Sequence, residues 1–144
     1  MRAEVAPALF RLLAESALSR AALDACGVPL VLVDAAAEYA ISYVNRAFEA
    51  FFGYRAAEAL GRPVARLLLV DADAAGRLFR NPETQVLLRT QRKDGTPALV
   101  EVAAGAVRGV DGRVTHWVLA FSDRTEFEQL RNELIALRAA ATGV

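Results

Sequence analysis

Apolar positions recur at two different periods along the chain, and the change of period organises it. From about Pro7 to Cys26, Leu9, Phe10, Leu13, Ala17 and Leu18 form one helical stripe. Pro7 is tolerable in a first turn, and Gly27 is a stop. VPLVLVD (28–34) and AISYVN (40–45) then read as strands across an alanine-rich turn. Asn45 suits the N-cap of a short helix, RAFEAFF, that Gly53 ends. A second short helix over about 55–60 stops at Gly61, Pro63 permits a further turn, and DADAAGRLFR (71–80) gives another helix closed by Asn81–Pro82.

Beyond that point the period falls to two. TQVLLRTQ (84–91), TPALVEVAAGAV (96–107) and RVTHWVLAFS (113–122) read as strands separated by the turn signals KDG and VDG. Alternation puts Val86, Leu88 and Thr90, then Ala98, Val100, Val102 and Ala104, then Trp117, Leu119 and Phe121 on one face. The opposite face keeps Leu87, Leu99, Val118 and Ala120, an apolar band that needs cover of its own. Asp123–Arg124–Thr125–Glu126 resembles a capping box with the carboxylate at the cap, opening a helix to about Ala141. This order predicts an α+β fold: one antiparallel sheet, short helices on one face, and a flanking helix at each end. Residues 1–27 form the N-terminal flank, 28–124 the core and 125–144 the C-terminal helix, a possible coiled coil.

Composition removes several classes of function. The 144 residues carry 17 basic and 17 acidic side chains, so net charge gives no pull toward nucleic acid or an acidic surface. Charged residues interrupt every apolar run short of membrane-spanning length. Glu4, Arg11 and Glu15 break up any secretory h-region, which makes a cytoplasmic protein the expectation. Cys26 is the only cysteine, which rules out an internal disulfide and a cysteine-rich metal site.

YVNRAFEAFFGYRAAEALGR (43–62) resembles the signature of PAS sensor domains, and within them the light-oxygen-voltage (LOV) branch. The pattern Tyr-Val-Asn-x-x-Phe-x-x-x-x-Gly-Tyr-x-x-x-Glu-x-x-Gly-Arg is matched at each fixed position. RKDG (92–95), DGRVTHWV (111–118) and SDRTE (122–126) resemble later landmarks in the same order. The resemblance implies a PAS fold with a five-stranded antiparallel sheet over roughly 28–126. Photoactive LOV domains continue Gly-Arg-Asn-Cys-Arg-Phe-Leu-Gln, where cysteine attacks a flavin and arginine meets its phosphate. This chain reads GRPVARLL (61–68), with Pro63, Val64 and Ala65 at the asparagine, cysteine and arginine positions. Family asparagines on the middle strands correspond to Thr90 and Val100, and the last-strand glutamine to Phe121. The segment between Leu68 and Thr84 is shorter than the family's. The resemblance therefore implies no cysteinyl adduct and no flavin, with Thr90 alone able to serve a flavin polar group. The cavity-lining candidates are Val64, Leu88, Thr90, Val100, Leu119 and Phe121, with Phe121 as a plug.

Other reactive residue types read more simply. His116, the only histidine, points by parity to the outer face, so it is a surface or interface residue and not a haem ligand. Asp71 and Asp73 begin a helix, where capping explains them without a metal or acid–base pair. Cys26 has nothing basic beside it to activate the thiol. Arg66, Arg77 and Arg80 are read as solvated helix faces. Phe127, Leu130, Leu134, Leu137 and Ala141 follow the 3-4-3-4 spacing of a coiled-coil seam, and two heptads leave open whether the helix pairs with a second chain or folds onto its own sheet. The expected protein is a sensory or interaction module, homodimeric through its terminal helices and outer sheet face. Signalling positions are Phe127, Leu130, Leu134, Leu137, Val118 and Asp123. No effector domain is read within the sequence, so output is expected through the dimer or an unknown effector protein. A sensor for flavin or a small apolar ligand is the alternative, and an enzyme using the cavity lacks a convergent acid–base set.

Overall fold

A computed structural model describes residues 18, 20–80 and 85–142. Of the stripe expected from about Pro7 to Cys26, Leu9, Phe10, Leu13 and Ala17 lie outside the described residues and Leu18 is exposed; the turn at Asn81–Pro82 and the strand start at Thr84 also lie outside them. Helix α1, described over residues 20–25, ends just before Gly27. Strands β1 (Leu30–Asp34) and β2 (Ala40–Val44) follow, then the short helices α2 (Arg46–Phe52), α3 (Ala56–Ala59), α4 (Val64–Leu67) and α5 (Ala72–Arg80). Strands β3 (Val86–Gln91), β4 (Pro97–Arg108) and β5 (Val114–Asp123) complete the sheet, and α6 (Thr125–Thr142) leaves it. All pairings are antiparallel, in the order β2-β1-β5-β4-β3. The fold is α+β, with a five-stranded antiparallel sheet and short helices on one face.

The alternation explains the core. Leu88 and Thr90 of β3, Ala98, Val100 and Val102 of β4, and Trp117, Leu119 and Phe121 of β5 are buried together with Phe48, Phe52, Leu67 and Leu78 from the helices. On β2, Ile41 and Val44 both point inward although three positions apart. The register shifts opposite Leu32 and Val33, Ser42 is skipped, and its hydroxyl donates to the Leu32 carbonyl. The free edge of β2 is covered by the segment after Gly61. Gly61 N–H donates to the Ile41 carbonyl, and Ile41 N–H to the Arg62 carbonyl.

Asn45 caps α2, accepting from Phe48 N–H at 3.0 Å, and Gly53 closes it in the left-handed region at φ 83°. The cap expected at the last helix takes a different form. Asp123 is still in the sheet, paired with Val100, and its carboxylate accepts from Thr125 N–H at 2.9 Å, two residues on. That is an Asx-turn joining strand to helix, which starts at Thr125. The capping-box reading is thereby corrected: the ladder holds Asp123 too long for it to serve as the cap.

Candidate functional site

The space a PAS ligand would occupy lies between the sheet and helices α4 and α5. The void found there measures about 20 Å³, and its walls are wholly apolar. That holds about one water-sized sphere and lies far below the ~300 Å³ at which small-molecule pockets begin. Val64, Leu88, Leu119 and Phe121 line it, as do Leu68 and Phe79. Thr90 and Val100 are buried on the same sheet face but are not among its walls. The Thr90 hydroxyl donates to the Ala98 carbonyl at 2.8 Å, so its proton is already used inside the sheet. A flavin's carbonyls and imide N–H would find no polar partner on these walls. Ala75, Leu78 and Phe79 of α5 complete the lining, and sequence reasoning did not single them out. Their helical spacing was the available signal.

Aromatic rings fill the space instead. The Phe121 ring packs edge-on against Phe52 with centroids 5.3 Å apart, and 6.1 Å from Phe48. On the far side, Tyr39 stacks on Phe79 at 3.8 Å, and Phe79 meets Trp117 edge-on at 5.6 Å. An open cleft beside this pair is lined by Glu38, Asp73 and Arg80 together with Tyr39 and Phe79. Among the described residues no cluster of three or more His, Cys, Asp or Glu side chains could hold a metal. Phe121 also walls a surface groove with Gly27, Pro29, Phe51 and Asp123, where the two flanking helices meet the core.

Both flanking helices are tied to the core by specific hydrogen bonds. Asn45 is fully buried and satisfies four groups at once. Its oxygen accepts from Leu30 N–H at 2.9 Å and Phe48 N–H at 3.0 Å, and its amide donates to the Leu23 and Val28 carbonyls, both at 2.9 Å. Tyr43 of β2 donates to Asp24 of α1 at 2.8 Å. Burial, and then that hydrogen bond, push the Tyr43 phenol up to about 12. At the other end, Arg124 N–H donates to the Leu99 carbonyl at 2.8 Å, and Leu99 N–H to the Thr125 hydroxyl at 3.1 Å. Glu128 pairs with Arg89 of β3 at 2.6 Å, and Arg124 with Glu101 of β4 at 2.9 Å.

These ties orient α6 so that its seam does not fold back on the sheet. Phe127, Leu130, Leu134 and Leu137 are 62, 59, 50 and 68% exposed. Val118 and Leu99 lie half-buried on the outer sheet face, where Leu87 is exposed and His116 half-buried.

The family model for the PAS fold matches residues 17–124, most of the chain. The chain belongs to the PAS family. Solved LOV domains are among the structural neighbours of this PAS domain. An RNA-binding light-oxygen-voltage receptor superposes with a TM-score of 0.75 at 31% identity, covering 89% of this chain and 38% of that one. The LOV protein of Rhodobacter sphaeroides gives 0.63 at 27% identity, covering 72% and 64%. Adagio protein 3 of Arabidopsis thaliana is 35% identical over 105 residues, 61% of this chain and 17% of that protein. The chain thus spans about a sixth of the length of the curated relatives it matches. PAS domains are in general sensory modules, and this domain is a PAS sensory module similar to LOV domains. No helix among the described residues is long and apolar enough to cross a membrane.

Proposed function

We propose that this PAS domain is a LOV-like sensory and interaction module that works without flavin-adduct chemistry and transmits its state through a homodimer. The filled core carries the reading. Val64, at the position of the LOV cysteine, has no nucleophile and faces a void of about 20 Å³ closed by Phe121. The apolar walls leave nothing to hold a flavin's polar edge, and Ala65 offers no guanidinium to a phosphate. Output then rests on packing: a shift of the core around Phe121 reaches β5, and from there Asp123, Thr125 and the exposed α6 seam. Catalysis is not part of this reading: among the described residues the buried polar side chains are Asn45 and Thr90, and both are engaged in hydrogen bonds to the backbone. RNA binding belongs to the neighbouring receptor; a net charge of zero gives this chain no general attraction for a polyanion. A cytoplasmic location is part of the same proposal.

The test is retention of flavin. Protein purified, incubated with excess FMN and desalted is expected to carry no bound flavin absorbance or fluorescence. Stoichiometric FMN surviving the column would overturn the reading.

The wholly apolar lining favours a second reading, a sensor for a small apolar molecule that enters by displacing the Phe121 ring. Mass analysis of an organic extract of the purified protein separates the two, since this alternative requires a stoichiometric apolar compound.

A further inference from the structure

The cleft on the outer side of α4 and α5 encloses about 600 Å³, within the size range of small-molecule sites, whereas the void beneath it holds about 20 Å³. Small residues make up much of its wall, Ala65, Ala72, Ala75 and Gly76, and Tyr39 stacked on Phe79 fills part of it. That stack differs from the other ring pairs among the described residues. Its planes lie 4° apart with centroids at 3.8 Å, whereas the others are tilted by 44° or more. Two electron-rich faces in such close overlap repel through their quadrupoles, which is why aromatic pairs favour edge-on or offset contacts with centroids about 4.5–7 Å apart.

A strained turn brings Tyr39 there. Ala40 N–H donates to the Ala37 carbonyl at 3.0 Å, and the two residues between, Glu38 and Tyr39, sit in the left-handed region at φ 56° and 58°. Asn-Gly suits such a turn; glutamate and tyrosine do not. The Tyr39 carbonyl accepts from Val64 N–H at 3.2 Å, so the backbone is anchored and rotation of the half-buried side chain withdraws the ring. Phe79 then remains as a flat platform, backed edge-on by Trp117 at 5.6 Å. Among the described lining residues the Glu38 and Asp73 carboxylates are set against one guanidinium, that of Arg80, whose Nε donates back to the Gly76 carbonyl at 3.2 Å. The cleft therefore carries an acidic excess.

We propose that the Tyr39 ring stands in for a ligand, and that this cleft is a binding site for a small, flat, cationic heteroaromatic molecule, a pyridinium ring being the simplest, which stacks on Phe79 once Tyr39 has swung out. An electron-poor cation is attracted to the negative face of Phe79, where the phenol ring is repelled by it. Glu38 and Asp73 supply the complementary charge. The apparent affinity is reduced by the fraction of molecules in which Tyr39 covers the platform, so the turn sets the threshold of the site. The site lies outside the filled core and away from α6, so it stands or falls apart from the flavin-free and homodimer readings above.

Trp117 is the only tryptophan and touches Phe79, so its fluorescence reports on the platform. The probe is 1-methylnicotinamide, a pyridinium cation that quenches indole emission. The unmodified protein is expected to show saturable quenching, with uncharged nicotinamide binding more weakly. Tyr39→Gly removes the competing ring and keeps the left-handed backbone, so binding should tighten at least about fivefold. Phe79→Leu should abolish the saturable component, with circular dichroism checking the fold. Because Phe79 also walls the core, Glu38→Gln combined with Asp73→Asn, both at exposed positions, gives an independent check and should weaken binding about threefold or more. Quenching that rises without saturation, or an unchanged midpoint in Phe79→Leu, would overturn the site. Weaker binding by Tyr39→Gly would overturn the stand-in role, since the ring would then be part of the site and not its competitor. An affinity indifferent to the two carboxylates would overturn the choice of a cation.

Discussion

Phe121 separates two spaces, the interior void under α4 and α5 and the surface groove beside residues 27–29. Its ring is buried against Phe48 and Phe52, so its volume is part of a close-packed interior and not a lining around a hole. Phe121→Ala removes that volume from a site whose ring neighbours, Phe48 and Phe52, are held on the packed helix α2. The expected loss of stability is about 3–5 kcal/mol, the range for deleting a buried aromatic ring. The denaturant midpoint measures it, and a midpoint barely moved would mean that the ring lines a pre-existing pocket. The enlarged apolar void should then admit small apolar molecules such as benzene, seen as a ligand-dependent rise in the midpoint. Thr90 marks the contrast: its hydroxyl is buried because Ala98 satisfies it, and it leaves no donor facing the void.

At the scale of elements, the strand faces were legible because side chains alternate strictly, so Leu88, Val100, Leu119 and Phe121 could be placed from the sequence alone. The wall formed by α5 and the ties to the flanking helices were not. Asn45 was readable as a cap, but its bonds to Leu23 and Val28 join residues 22 and 17 positions away, which no local pattern encodes. Nor does local sequence mark Glu38, Tyr39 and Leu69 as left-handed, since none is glycine. The Asx-turn at Asp123 was misread because the β4–β5 ladder runs one pair further than the turn residues suggested. The Tyr43–Asp24 bond between β2 and α1 supports a prediction at this scale. The Tyr43 phenol rises from 10 to about 12 in the folded state. Below pH 10 both folded and unfolded chains hold the proton, and the contribution to stability is full. Between about pH 10 and 12 the unfolded chain loses its proton first, so stability falls as pH rises through that window. Phenolate absorbance should show a tyrosine ionising well above the usual phenol range. Tyr43→Phe should remove that late step and flatten the alkaline loss of stability; an unchanged alkaline profile would show that Tyr43 is not its source.

For the whole molecule, the core and the seam make separable demands on the same sequence. A change at Phe121 alters a core that each chain completes for itself, so its cost appears in unfolding even at low protein concentration. Leu134 is half exposed in the single chain and contributes little to that core. In the proposed dimer it sits at the centre of the seam, where Leu134→Arg would place two unpaired cations against each other in a desolvated contact. The variant should therefore keep the unfolding midpoint of the isolated chain while weakening association at least about tenfold, which is about 1.4 kcal/mol. Light scattering across a dilution series, paired with denaturation at the lowest concentration, reads both quantities on one sample. Loss of fold together with loss of association would place Leu134 in the core of each chain. Association unchanged by the arginine would move the interface off α6 and onto the outer sheet face around Leu87, Leu99 and Val118. The expected result, association lost with the fold kept, is what a module needs if the packing around Phe121 is to be read out by the pairing of its helices.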